Sequence, residues 1–141
     1  MPAIRPCAVA MGILGTPAVR WKTRADLYEQ LERARLHLDT GDLAEVSVKT
    51  AASEAGLSLH HFIRLFHERY AKSPHTYLRE RRRRVASQML ANLELSVTEI
   101  ALDVGFESTS AFGRWFKKTV GQTPSEYRKA LPLPPQRGSI Q

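Results

Sequence analysis

Arg64 and Arg114 stand at matched places in two copies of one pattern, each flanked two residues away on either side by phenylalanine: Phe62 and Phe66 in the first copy, Phe112 and Phe116 in the second. An arginine on the outer face of a helix can present two parallel N–H donors to O6 and N7 of guanine, which discriminates against a wrong base by about 1–3 kcal/mol. At 3.6 residues per turn, the same face carries His60 and Ile63 in the first copy and Thr109, Ser110 and Gly113 in the second. His60, Ile63, Arg64, Thr109, Ser110, Gly113 and Arg114 are therefore the candidates for reading base edges. Arg64 could instead pair with Glu68 or grip a phosphate, and Ile63 could meet a thymine methyl or pack against the next helix.

Phosphate contacts would need backbone N–H groups at helix starts, or cations beside them. Ser47 and Ser96 open two short helices and supply the first kind; Arg82, Lys117 and Lys118 supply the second. Arg82 belongs to a run, Arg79, Arg81, Arg82, Arg83 and Arg84. Successive helical residues turn by about 100°, so the run encircles its helix and cannot face one partner. Most of it is expected to be solvated.

Other chemistries find little support. His60 and His67 lie two helical turns apart with no cysteine or carboxylate completing a ligand set, so no metal site is expected. No glycine loop ending in Lys-Ser or Lys-Thr, nucleophile elbow or paired acid motif is present, which argues against an enzyme and against a bound cofactor. The single cysteine, Cys7, excludes an intramolecular disulfide and fits a reducing, cytoplasmic compartment. The apolar stretch 7–14 is too short to span a membrane and is interrupted by Gly12.

The elements that must hold the candidates are written twice. Segment 48–57, VKTAASEAGL, is answered 49 residues on by segment 97–106, VTEIALDVGF. Beyond it the offset rises by one, so that Pro74 and Tyr77 recur as Pro124 and Tyr127. Each copy reads as a short helix opened by serine, a glycine in the left-handed conformation, an apolar plug (Leu57, Phe106) and a second amphipathic helix opened by Ser58 or Ser108. A short helix, tight turn and second polar-faced helix make a helix-turn-helix. A capped helix with Leu27, Leu31, Ala34 and Leu38 on one stripe precedes the first copy. A long helix over residues 76–92 joins the copies, and Pro124 starts a short closing helix. The expected fold is all-α: about seven helices in two helix-turn-helix subdomains, 23–75 and 94–131, joined by a linker helix at 76–93. Segments 1–22 and 132–141 carry no core pattern and are expected to be a leader and a tail.

In a chain of 141 residues, 21 Lys plus Arg against 14 Asp plus Glu leave a net charge of +7, which favours a polyanionic partner. Charge alone does not separate such a partner from mere solubility; its placement must.

The segment SVTEIALDVGFES at 96–108, followed by F-x-x-x-F-K-K-x-x-G-x-T-P-x-x-Y-R from Phe112 to Arg128, resembles the signature of the AraC/XylS transcription regulators, and the likeness extends over about residues 24–130. The resemblance implies seven helices, two helix-turn-helix subdomains bridged by a long helix, and binding to adjacent major-groove faces of one DNA site. The family's base-contacting places fall on His60, Ile63 and Arg64, and on Thr109, Ser110, Gly113 and Arg114. The chain departs from the family pattern at Ala71, where glycine is usual, at Arg83, often apolar, and at Gly113, which weakens its helix by about 1 kcal/mol against alanine. About twenty leader residues leave no room for an effector domain, so the resemblance implies a stand-alone DNA-binding unit.

The function expected is a bacterial-type, sequence-specific transcription regulator. Its partners would be double-stranded DNA, bound as a monomer at an asymmetric site, and RNA polymerase; no membrane is involved. A different class of function is a helical protein-interaction adaptor with weak or no specific DNA binding, for which exposed Ile63 and Gly113 would be suited.

Overall fold

A computed structural model describes residues 23–132; the expected leader 1–22 and all of the expected tail except Pro132 lie outside them. The described residues form seven α-helices and no strand: α1 Arg24–Thr40, α2 Val48–Glu54, α3 Leu59–Tyr70, α4 Pro74–Leu90, α5 Val97–Asp103, α6 Thr109–Val120 and α7 Pro124–Ala130. Every one is opened by a hydroxyl residue, in order Thr23, Ser47, Ser58, Ser73, Ser96, Ser108 and Thr123, whose side-chain oxygen accepts an N–H from the first turn. Each cap satisfies one donor that helix geometry leaves without a partner and contributes about 1 kcal/mol. The linker helix starts two residues earlier than its apolar pattern suggests. Ser73 caps it and Pro74 takes the first helical place, where a missing N–H costs nothing.

The written repeat is a structural one. In both copies the short helix ends in the same reversal: Leu57 N–H donates to the Ala52 carbonyl at 3.0 Å and Phe106 N–H to the Ala101 carbonyl at 2.8 Å. Gly56 (φ +66°) and Gly105 (φ +93°) take the left-handed place between. The buried aromatic contacts repeat as well. Phe62 meets Phe66 at 5.5 Å and Phe66 meets Tyr77 edge-on at 5.5 Å and 78°. Phe112 meets Phe116 at 5.6 Å and Phe116 meets Tyr127 edge-on at 5.4 Å and 79°. All four phenylalanines are wholly buried. Each contributes roughly 1.5–3 kcal/mol by burial, and the edge-on contacts add to that.

The copies differ after their second helices. Gly121 ends α6 at φ +91°, whereas its counterpart Ala71 ends α3 at φ +60°. A Cβ in that region meets the following carbonyl at a cost of about 1–2 kcal/mol, only part of which is recovered from the stiffer unfolded chain. Ala71→Gly is accordingly expected to stabilise the protein by about 0.5–1 kcal/mol, read as a higher denaturant midpoint at unchanged slope.

Helix α1 is tied to the first unit by a polar cluster. Arg35 pairs with Glu32 and with Asp39 at 2.5 Å; Tyr70 Oη donates to Glu32 at 2.8 Å and Tyr77 Oη to Asp39 at 2.8 Å. The hydrogen bonds from Arg35 and Tyr70 hold the Glu32 carboxyl down to about 2, and burial, then the bond to Glu32, pushes the Tyr70 hydroxyl up to about 12. Helix α4 packs on α1, α2 and α3 on one side and on α5 and α7 on the other. Leu78 and Ala86 belong to the same continuous core as Phe62 and Phe112.

Three arginines close helix C-termini from a distance. Arg81 Nη1 donates to the Leu38 carbonyl of α1 at 2.7 Å, and Arg82 Nε to the Val104 carbonyl at the end of α5 at 2.8 Å. Arg128 of α7 donates to the carbonyls of Leu90 (3.0 Å) and Leu95 (2.7 Å) at and beyond the end of α4. A cation at this end also complements the helix dipole.

Candidate nucleic-acid interface

The second helix of each unit carries its buried stripe on one side and the candidate reading residues on the other. On α3, Phe62 and Phe66 are buried while His60 and Arg64 are exposed; on α6, Phe112 and Phe116 are buried while Thr109, Ser110 and Arg114 are exposed. The wheel reading of the sequence matches the observed exposure at these five positions, whereas Ile63 and Gly113, which it also set outward, are only partly exposed. The ion pairs among the described residues join Arg35 to Glu32 and Asp39, and Lys72 to Glu80; Glu68 does not hold Arg64. Both guanidiniums are thus available to an external acceptor.

Three candidates have more particular surroundings. Ile63 is half-buried and packs against the core, so only part of its side chain could touch a ligand. Thr109 Oγ1 lies 2.9 Å from Thr98 Oγ1, a bond between α6 and α5 that fixes its rotamer. At Gly113 an added Cβ would meet nothing within 4 Å, so the bare backbone there opens on free space and lets another molecule approach closely.

The phosphate candidates divide. Ser47 Oγ accepts the Thr50 N–H at 3.0 Å, and the reciprocal acceptor for the Ser47 N–H is the neutral Thr50 hydroxyl at 2.9 Å. At Ser96 the reciprocal acceptor is a carboxylate: Glu99 Oε2 takes the Ser96 N–H at 2.7 Å. The bonds to Ser96 hold the Glu99 carboxyl below its ordinary value, which sets a negative charge beside the start of α5. The Arg82 guanidinium is turned inward onto the Val104 carbonyl and lies 5.8 Å from the Phe106 ring centroid, and burial lowers its pKa. Lys117 and Lys118 are exposed in the last turn of α6. Of the arginine run, Arg79, Arg83 and Arg84 are exposed, while Arg81 joins Arg82 in facing inward.

No described helix is long and apolar enough to cross a membrane. Two units of short helix, Schellman-type turn and exposed-faced second helix on a shared scaffold define a duplicated helix-turn-helix domain. A helix-turn-helix family model matches residues 51–130. The HTH-type transcriptional regulator ExsA of Pseudomonas aeruginosa is 34% identical over 99 residues, covering 70% of this chain and 36% of that protein. Among solved structures, the C-terminal domain of AraT, a response regulator from Geobacillus stearothermophilus, has the same fold at TM-score 0.70 and 24% identity, covering 81% of this chain and 93% of that one. The DNA-binding domain of the global transcriptional factor AdpA, in complex with a target DNA, aligns at TM-score 0.60 and 30% identity, covering 74% of this chain and 91% of that one. The chain belongs to the AraC-type helix-turn-helix family. It spans about a third of the length of the first curated relatives it matches.

Proposed function

We propose that this protein is a sequence-specific, double-stranded DNA-binding transcription regulator that lays α3 and α6 in two successive major-groove segments about 34 Å apart on one face of the duplex. The observation that carries this reading is the pair Arg64 and Arg114, exposed and without an ionic partner at equivalent places on two equivalent helices. In it, His60, Ile63 and Arg64 read one half of the site, and Thr109, Ser110, Gly113 and Arg114 read the other. Phosphates are held by Ser47 at the start of α2 and by Lys117 and Lys118 at the end of α6. AdpA's DNA-binding domain, solved with a target DNA, supports the polyanion as ligand.

One protein supplies both readers, so the DNA-bound form is a monomer, and the two reading sets differ, so the site is asymmetric. A regulator bound this way acts on chromosomal DNA in the cytoplasm, with RNA polymerase as its second partner. In vitro selection from a randomised duplex library tests the reading. The expected result is one enriched motif with two unlike blocks about one helical turn apart, whose affinity falls steeply with salt. A library returned without any enriched motif would refute it.

A further inference from the structure

Arg81 and Arg82 are neighbours on α4, about 100° apart around its axis, and they reach in different directions to the two units. Arg81 holds the last turn of α1 through the Leu38 carbonyl, whereas Arg82 holds the end of α5 through the Val104 carbonyl. The residue after Val104 is Gly105, seated so closely against the loop between α1 and α2 that a Cβ there would lie 2.4 Å from the Leu43 carbonyl oxygen. The turn of the second unit is thereby trapped between α4 and the first unit. Phe106, the ring beneath the Arg82 guanidinium, packs in turn on Phe112 at 5.5 Å and Trp115 at 5.0 Å, both on α6. A continuous set of contacts runs from Arg82 to the helix that carries Thr109, Ser110, Gly113 and Arg114.

A half-buried guanidinium on a single carbonyl, with no carboxylate beside it, carries a desolvation cost that opposes what the helix dipole contributes, so stability alone does not account for it. A planar donor held between a carbonyl and a ring does fix direction. We infer that Arg82 is a positioning residue that sets the distance and angle between α3 and α6, and so determines which spacing between two half-sites the protein accepts. The inference rests on the DNA-reading function proposed above. Each base pair inserted between half-sites moves the second by about 3.4 Å and rotates it by about 34°. Two readers on a rigid frame gain from binding together only when that geometry matches, whereas loosely joined readers gain less at the best spacing and lose less at others.

The test compares wild type, Arg82→Ala and Arg82→Lys on duplexes carrying the selected site, the same site with one base pair added or removed, and each half-site alone. Wild type should lose about tenfold or more in affinity for a one-base-pair change. Arg82→Ala should bind the intact site about tenfold more weakly, keep each half-site affinity within about twofold, and discriminate little between spacings, with Arg82→Lys between the two. In parallel, spin labels at Glu54→Cys and Asp103→Cys, equivalent exposed places on α2 and α5, in a Cys7→Ser background give the inter-unit distance without DNA. A narrow distribution in wild type that broadens in Arg82→Ala supports the assignment. A variant as spacing-selective as wild type, with an unbroadened distribution, overturns it. If no duplex is selected by wild type, the DNA reading fails, and the distance distribution alone still decides whether Arg82 fixes the two units.

Discussion

Replacing Arg64 and Arg114 together by alanine is expected to remove most of the protein's preference for its selected site while leaving its melting temperature nearly unchanged. Both side chains are exposed and neither is engaged in an ion pair, so truncation removes little from the fold. If each makes the bidentate guanine contact that its place allows, the losses are about 1–3 kcal/mol apiece and add, because the two lie on separate helices. Affinity for the selected duplex then falls by about 2–6 kcal/mol, while binding to a scrambled duplex changes far less. Fluorescence anisotropy on the two duplexes checks this. The single variants add a diagnosis: a base-reading arginine relaxes preference at one position, whereas a phosphate-gripping one weakens all sequences alike and lowers the salt slope by about 1. Selectivity retained in the double variant would mean that recognition lies elsewhere.

The largest loss of stability from a single added methyl group is expected at Gly105→Ala. Its backbone sits at φ +93°, and the new Cβ would lie 2.4 Å from the Leu43 carbonyl oxygen, a backbone atom that cannot swing aside. The left-handed conformation costs about 1–2 kcal/mol and the collision about 1–3 kcal/mol more, so denaturant unfolding should show a loss of about 2–5 kcal/mol. Gly121→Ala is the control. It has nearly the same φ, +91°, but nothing within 4 Å of the added atom, so it should show the conformational part alone. Equal losses in the two variants would show that the second turn is not pressed against the first unit in solution.

What could be read from the sequence was what local rules govern. Serine before an apolar period, glycine after it and phenylalanines four apart each act within one or two helical turns, so the serine caps of α2, α3, α5 and α6, both reversals and the buried faces of α3 and α6 were legible, whereas the Ser73 cap of α4 was not. The arginines on α4 were not. A helical wheel places Arg81 and Arg82 around an axis but says nothing about which neighbour lies at each angle, and Leu38 and Val104 are 43 and 22 residues away along the chain. Arg128 was missed for the same reason, since its partner Leu90 is 38 residues distant; the ion pairs of Arg35 with Glu32 and Asp39 are local, but its bond to Tyr77 spans 42 residues. Ser96 is different, because its capping box with Glu99 was visible in the sequence. The carboxylate set beside the helix start follows from the same local rule.

The long-range closure of helix ends bears on how the duplication can be divided. Cutting the chain before α4 would leave α1 without Arg81, and cutting after it would leave α5 without Arg82 and the end of α4 without Arg128, so neither division keeps every helix end closed. Although one copy has the look of a self-sufficient module, the pair is expected to melt as one unit, seen as a single calorimetric transition whose enthalpy equals the van't Hoff value.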